Sequence, residues 1–232
     1  IPEEYGGSNF GISGISVVLQ ECAKTLTPSP LFATGVIGAY SIANFANENQ
    51  KKEYLPKIVG GEMTTAFAID ESSHHNPADT EMTAEFKKDK VILNGKKIFV
   101  VDGASAKLLI VLARTSGSKG ETSGLTLFFV NSNSSGVERI KLDMADSRNY
   151  ANIIFSDAEI NKEDILGDIE TGGETAENIL DIARIALSAE MLGNSEAAFE
   201  TTLDYLKQRK QFGVLIGSFQ ALQHRAAQMF CE

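Results

Sequence analysis

YLKQRKQFGVLIGSFQ, residues 205–220, joins two strongly helical segments near the end of the chain. Arg209 offers a planar guanidinium, a group that grips a phosphate or a carboxylate through two parallel hydrogen bonds. Phe212 follows three residues later and supplies a ring that can lie over a flat heteroaromatic group. The same residues also suit a helix-to-helix corner that has no ligand. An arginine in the last turn of a helix complements the helix dipole, and a phenylalanine beyond it packs into the corner. The rest of the chain decides between these interpretations.

Length and charge narrow the class of protein. At 232 residues the chain can bury a large core. Its net charge of −10 argues against a nucleic-acid partner, which requires Lys and Arg concentrated on one face. Eleven acids against three basic residues lie between residues 141 and 181, which we interpret as a solvated surface. His74 and His75 are adjacent and lack a third ligand at suitable spacing, so no metal site is predicted.

Targeting and redox features favour a cytoplasmic protein. No apolar run approaches the roughly 18 residues that a membrane span requires, and the start lacks a signal-peptide pattern. The two cysteines, Cys22 and Cys231, are too few for a disulfide framework, which fits a reducing compartment. The chain opens on Ile1-Pro2 without a methionine, so we expect a fragment of a longer protein.

Helical periodicity marks both ends of the chain. Asn47 and Gln50 form a capping-box pair at the start of a helix, within a predicted helical domain over residues 1–65. Toward the C-terminus, a stripe of small residues that includes Gly193 permits tight contact between helices. We predict a second helical domain over residues 166–232.

The central part, residues 66–165, is predicted to be a β domain. Short runs rich in strand-forming residues are separated by Gly-, Ser- and Asn-rich loops, a pattern typical of a sandwich or a barrel. Asn94-Gly95 predicts the turn of a hairpin, because this dipeptide is a strong hairpin signal. The predicted strands cover residues 65–69, 91–101 (the hairpin), 108–112, 125–130, 137–142 and 151–155.

Several motifs, in the right order, resemble the acyl-CoA dehydrogenase family. PEEYGG at residues 2–7 is similar to the family's P-E-x-x-G-G loop, and QKKEYLP at 50–56 to its Q-K-x-x-x-L-P segment. RKQFG at 209–213, followed by IGSFQ at 216–220, resembles its R-x-Q-F-G…I-x-x-F-Q corner. Residues 184–229 look most like small subunits of heteromeric bacterial members such as pimeloyl-CoA dehydrogenase. The resemblance implies an α+β fold with a helical N-terminal region, a central β barrel and a C-terminal helical bundle, here truncated.

The resemblance also implies a cofactor. In the family this corner grips the pyrophosphate and adenine end of an FAD that a neighbouring subunit mainly holds. Carried over residue by residue, it implies that FAD is bound by Arg209, Gln211, Phe212, Phe219 and Gln220.

The family motifs that face the flavin depart from the pattern in this chain. Where the family has T-E-P-x-A-G-S-D, the chain reads DESSHHNPAD at 70–79, with Asp70 in place of a neutral donor. A carboxylate donates no hydrogen bond unless it is protonated, and a buried one without a partner is costly or has a raised pKa. Where the family has W-I-[ST]-N, residues 99–102 read FVVD, so Val101 replaces a hydroxyl. We expect no normal flavin seat in this chain's own barrel.

Asp181 and Arg184 lie three residues apart and share one face of a predicted helix. This D-x-x-R resembles the family motif near the acyl-CoA thioester, which implies a role in substrate binding. An intrahelical salt bridge explains the pair equally well.

Two hypotheses about function follow. The first is a subunit of an FAD-dependent acyl-CoA dehydrogenase, with an acyl-CoA substrate and an electron-transfer flavoprotein as acceptor, in a homo- or hetero-oligomer that we expect to be a tetramer. The second is a non-catalytic partner that completes an FAD site on another chain. The resemblance places the catalytic Glu beyond Glu232, so no catalytic residue is assigned.

Overall fold

The computed structural model describes residues 1–232. Three helices form the N-terminal part: α1 (Gly11–Lys24), α2 (Ala39–Phe45), which continues a π-helical segment (Leu31–Gly38), and α3 (Glu48–Val59). The predicted capping box is confirmed, because Asn47 Oδ1 accepts from the Gln50 amide and Gln50 Oε1 accepts from the Asn47 amide, both at 3.0 Å. Gln50 Nε2 also donates to the carbonyl oxygens of Glu163 and Ile165, which fastens α3 to the β domain.

Eight strands form one central sheet in the order β6-β7-β3-β2-β4-β5-β8, with β1 parallel to β4. A single parallel pair, Thr83 with Arg114, links β2 to β4. Eighteen buried residues from β1–β5 and β7 and from adjoining loops form one cluster, so the sheet curls around a common core. The strands are β1 (Thr65–Ala68), β2 (Thr83–Lys87), β3 (Lys90–Val100), β4 (Leu108–Arg114), β5 (Leu125–Asn131), β6 (Val137–Lys141), β7 (Ala151–Asn161) and β8 (Ile165–Leu166).

The hairpin predicted at Asn94-Gly95 is wrong. Strand β3 runs straight through this dipeptide, and the turn of the hairpin is Lys88-Asp89, between β2 and β3. Asn94 and Gly95 instead mark a register shift against β7. There Asn94 Nδ2 donates to Asp157 Oδ1 at 3.0 Å, and Asn94 Oδ1 accepts from the Asp157 backbone amide at 2.8 Å. The glycine is required there because its φ is +144° and a Cβ would lie 2.8 Å from Met82.

Two helices complete the chain: α4 (Gly172–Gln208) and α5 (Gln220–Cys231). Helix α4 packs on the outer face of β4 and β5 and then crosses α1. At that crossing a Cβ on Gly193 would lie 2.0 Å from the carbonyl oxygen of Gln20, so only glycine permits this approach. None of the helices combines the length and apolar character that a bilayer span requires.

Candidate functional site

The corner after α4 is a small exposed hairpin. Arg209 ends the helix, strands β9 (Lys210–Gln211) and β10 (Val214–Leu215) pair antiparallel, and Phe212-Gly213 form the turn with positive φ angles of 56° and 81°. The turn holds Phe212 away from the body of the chain, and 90% of its surface is exposed. A glycine after it suits this turn because both central positions are left-handed.

The five corner residues come together on this exposed surface. Phe212 and Phe219 meet edge to face with ring centroids 6.2 Å apart, and Gln220 begins α5 beside them. The Arg209 guanidinium makes no ion pair or hydrogen bond within the chain, whereas its backbone is fixed by the Tyr205 carbonyl and the Ile216 amide. The corner therefore presents an unpaired cation, exposed rings and the Gln211 amide to whatever lies outside this chain.

Asp181 and Arg184 form the intrahelical salt bridge that the spacing allows. Arg184 Nη1 lies 2.6 Å from Asp181 Oδ1 and 2.7 Å from Glu177 Oε1, and all three side chains are exposed. The hydrogen bonds that Arg184 donates to Glu177 and Asp181 raise its pKa. Ile182, which lies between them in sequence, lines an apolar cavity, whereas Asp181 and Arg184 face solvent and do not line it.

A largely apolar cavity of about 680 Å³ lies between α1, the π-helical segment and α4. Sequence reasoning missed it because its walls come from segments up to 180 residues apart. The small residues Gly35 and Ala39 leave the space open, and the N-terminal loop that contains Gly6-Gly7 covers one side. Its aliphatic walls are formed by Ile12, Ile15, Val18, Leu31, Val36 and Ile182.

The end of β1 carries two paired carboxylates. Asp70 is partly exposed and both of its oxygens lie 2.9 Å from His75 Nδ1, so it is not a buried carboxylate without a partner. Glu71 accepts from the amides of Glu81 and Met82 and pairs with Lys97 Nζ at 2.7 Å. The carboxylates of Asp70 and Glu71 therefore both have partners within the chain, and these contacts hold the loop after β1 in place.

Lys97 is a residue that the sequence reading did not single out. Its side chain is fully buried and donates to Glu71, to the Ile69 carbonyl and to Thr80 Oγ1. Burial lowers the pKa of Lys97 to about 8, although the charge of Glu71 opposes the shift. No local signal in the sequence marks Lys97, because the residues on either side of it in β3 are exposed or partly exposed.

The segment Phe99–Asp102 covers the last two residues of β3 and the start of the turn after it. Phe99 and Asp102 both have positive φ angles, 50° and 57°, and Val101 between them carries no polar group. Asp102 is buried with its Oδ2 unpartnered, and burial raises the pKa of its carboxyl group.

Most of the chain matches one family, in three consecutive parts. Residues 1–62 match the profile described as the acyl-CoA dehydrogenase N-terminal domain, residues 66–158 the middle domain and residues 170–232 the C-terminal domain. The chain belongs to the acyl-CoA dehydrogenase family.

Relatives agree with the family match. An acyl-CoA dehydrogenase of Bacillus subtilis is 33% identical over 241 residues, and a 3-(aryl)acrylate reductase of Clostridium sporogenes is 34% identical over 244 residues. Each alignment covers 99% of this chain and 62% of the relative. The butyryl-CoA dehydrogenase structure from Megasphaera elsdenii superposes with a TM-score of 0.92 at 30% identity, covering 100% of this chain and 63% of that one. The chain thus spans about 62% of the length of the curated relatives that it matches.

The residues that an FAD would meet differ between the two candidate surfaces. At the corner, the unpaired Arg209 guanidinium and the exposed Phe212 ring fit an anionic, flat-ringed group. At the end of β1, Asp70 offers a carboxylate already held by His75, and Val101 offers no hydroxyl. The chemistry of the corner suits an anionic group next to a flat ring, whereas the end of β1 lacks the donors that the family motif would supply.

Proposed function

We propose that the protein is a subunit of an FAD-dependent acyl-CoA dehydrogenase, which removes hydrogen from the α and β carbons of an acyl-CoA thioester. The observation that carries the proposal is the apolar cavity between α1, the π-helical segment and α4. Its volume and aliphatic walls suit an acyl chain, since ligand sites are concave and mostly apolar with a few polar groups. Arg184 is exposed on α4, the helix whose Ile182 lines the cavity, and in this proposal its guanidinium binds the polar part of the thioester ligand.

The residues of this chain would bind and orient the substrate. The walls formed by α1, the π-helical segment and α4 keep water from the acyl chain, which strengthens polar interactions at the reacting carbons. Arg209 and Phe212 would hold one end of an FAD seated mainly on a neighbouring subunit. When bound, FAD supplies the acceptor for the β-hydride, while a carboxylate base takes the α-proton. We assign that base to no residue of this chain.

The second candidate function is a non-catalytic partner subunit that completes the FAD site of another family chain. Asp70 and Val101 favour it, because both replace hydrogen-bond donors at the seat for the flavin ring. Both candidates imply an oligomer of family chains, proposed to be a tetramer, with acyl-CoA as ligand. Under either candidate function we place the protein in the cytoplasm, with an electron-transfer flavoprotein as the electron acceptor.

Flavin stoichiometry and substrate reduction separate the two candidates. The full oligomer would be purified, its FAD released and counted per chain, and its flavin absorbance followed without oxygen as butyryl-CoA or isovaleryl-CoA is added. One FAD per family chain with bleaching by an acyl-CoA supports the catalytic subunit. One FAD for every two family chains supports the partner subunit, provided that this chain shows no flavin absorbance when it is purified alone. Absence of flavin from every assembly that contains this chain contradicts both.

A further inference from the structure

The loop between β6 and β7, residues 143–149, crosses from the β domain to the helices, and we call it the strap. Through residues 145–148 it forms one wall of a second cavity, of about 400 Å³. The other walls of this cavity come from α1 and the loop after it, from Phe32 of the π-helical segment and from α4. Cys22 of α1 lines the same cavity, so the strap and this thiol face a common space.

The strap has few attachments to the rest of the chain. Its base is closed by a hydrogen bond from the Leu142 amide to the Tyr150 carbonyl oxygen at 2.9 Å. No backbone hydrogen bond joins residues 143–147 to another element, and every residue of the strap except Arg148 is exposed. Segments with so few buried contacts open locally at a small cost in free energy.

Arg148 is the strap residue that bonds to the helices. Its Nη2 pairs with Glu190 Oε1 on α4, and its guanidinium lies 5.6 Å from the centroid of the Phe32 ring. The carboxylate of Asp102, just after β3, also acts on this guanidinium. Glu190 and Asp102 each have one buried carboxylate oxygen without a hydrogen-bond partner. Removal of the guanidinium would therefore leave two carboxylates without their compensating charge, which disfavours the closed arrangement.

We propose that the strap is a lid over the second cavity and that Arg148 is the latch that keeps this lid closed. When the lid opens, Arg148 and Glu190 are both hydrated and Cys22 becomes accessible from solvent. The ion pair is the main interaction lost on opening, because residues 143–147 are already exposed and have no backbone bond to another element. The proposal does not depend on the dehydrogenase function, because neither the apolar cavity nor the corner takes part.

The rate at which N-ethylmaleimide labels Cys22 in the full-length protein measures how often the lid opens. Mass spectrometry of the peptide that contains Cys22 gives this rate, and the same protein unfolded in concentrated urea gives the rate for a fully accessible thiol. We expect Cys22 of the folded wild type to react at least about tenfold more slowly than in the unfolded chain. Arg148→Met keeps the length of the side chain and removes its charge, so Cys22 should then react at least about tenfold faster than in the wild type.

A control variant and a second latch variant complete the test. Lys141→Met removes the exposed ion pair with Asp143 beside the strap, and Cys22 should react in it as in the wild type. If Arg148→Met fails to fold by circular dichroism, Glu190→Gln, which removes the other half of the latch, decides.

Low concentrations of urea separate lid opening from global unfolding. Only an opening that exposes a large surface makes the labelling rate rise steeply with urea. The proposal would be overturned by a Cys22 rate that is unchanged in the deciding latch variant, or that rises steeply with urea in that variant. A wild-type rate equal to that of the unfolded chain would overturn it as well, because the strap then covers nothing.

Discussion

His75 Nδ1 lies 2.9 Å from each carboxylate oxygen of Asp70, at the end of the first strand of the sheet. The imidazole thus takes up the acceptor capacity of a carboxylate that stands where the family motif has a neutral donor. The pair explains how an acid is accommodated at this place. It also leaves the segment without the donor that the motif would supply to a flavin ring.

Restoring two hydrogen-bond donors should raise flavin retention if these positions face the ring. Asp70→Thr combined with Val101→Thr replaces a carboxylate and an alkyl group by hydroxyls. We expect more FAD per chain after gel filtration of the full oligomer, measured by flavin absorbance. Asp89→Thr, in the exposed turn before β3, is the matched control and should change nothing. Unchanged FAD content in the double variant would show that the two side chains do not contact the ring.

Arg209→Ala should weaken flavin retention by about ten- to a hundredfold, because a charge-assisted hydrogen bond to a phosphate contributes about 1.5–3 kcal/mol. The measurement is the FAD dissociation constant of the oligomer, from fluorescence during dilution. Arg225→Ala removes an exposed, unpaired arginine on α5 and serves as the control. Equal affinities in the two variants would mean that Arg209 only completes the helix end.

Arg184→Ala distinguishes substrate binding from a structural salt bridge. If Arg184 contacts the ligand, acyl-CoA affinity measured by calorimetry on the full oligomer should fall while the melting temperature stays nearly constant, since exposed ion pairs add little stability. Glu177→Gln removes one of its two ion-pair partners and leaves the guanidinium in place. A lowered melting temperature with unchanged affinity would favour the salt bridge alone.

Glu71→Gln should destabilise the fold by about 3–5 kcal/mol, because it leaves the Lys97 ammonium buried without a counter-charge. Adding Lys97→Met should recover much of this loss, since both charges are then absent. Urea unfolding followed by circular dichroism gives the free energies. The control is the exposed Lys119–Glu81 pair, changed by Glu81→Gln and Lys119→Met. The effects of these two substitutions on the free energy of unfolding should simply add. Additive effects of Glu71→Gln and Lys97→Met would contradict the prediction.

The stability of the wild type should rise with pH between about 8 and 10. The folded-state pKa of Lys97 is lowered to about 8 from 10.5, so in this interval the unfolded chain binds more protons than the folded one. The free energy of unfolding then gains up to about 1.4 kcal/mol per pH unit relative to the Glu71→Gln, Lys97→Met variant. Comparison of the two proteins removes the contribution of other titrating groups. A pH-independent difference would mean that Lys97 keeps its ordinary pKa.

Local sequence signals predicted much of the fold. The run at 108–112 was correctly expected to be a strand, and all seven residues of β4 are buried because the core fills one face and α4 covers the other. Asn94-Gly95 misled because a turn dipeptide is equally suited to a bulge, and only the pairing with β7 decides between the two. Strand β2 was missed because its alternation, TAEFK, leaves only Ala84 buried.

The candidate site also has parts that local sequence predicts and parts that depend on the tertiary fold. The corner residues lie within twelve positions of each other, so their proximity follows from the sequence alone. The apolar cavity depends on how α1 crosses α4, which is set by the close approach at Gly193. The partner of Asp70 also depended on a loop path that no periodicity encodes, although the partner is only five residues away.

Gln50 uses both ends of its amide at once: the oxygen caps α3, and the nitrogen reaches two carbonyl groups more than a hundred residues away. A glutamate there would keep the cap but set a negative charge against those carbonyls, and a methionine would serve neither purpose. An amide of this length is therefore the one side chain that meets both demands. The start of a local helix and the docking of two separate regions therefore depend on a single position. A substitution of Gln50 would disturb both the helix cap and the contact between the regions.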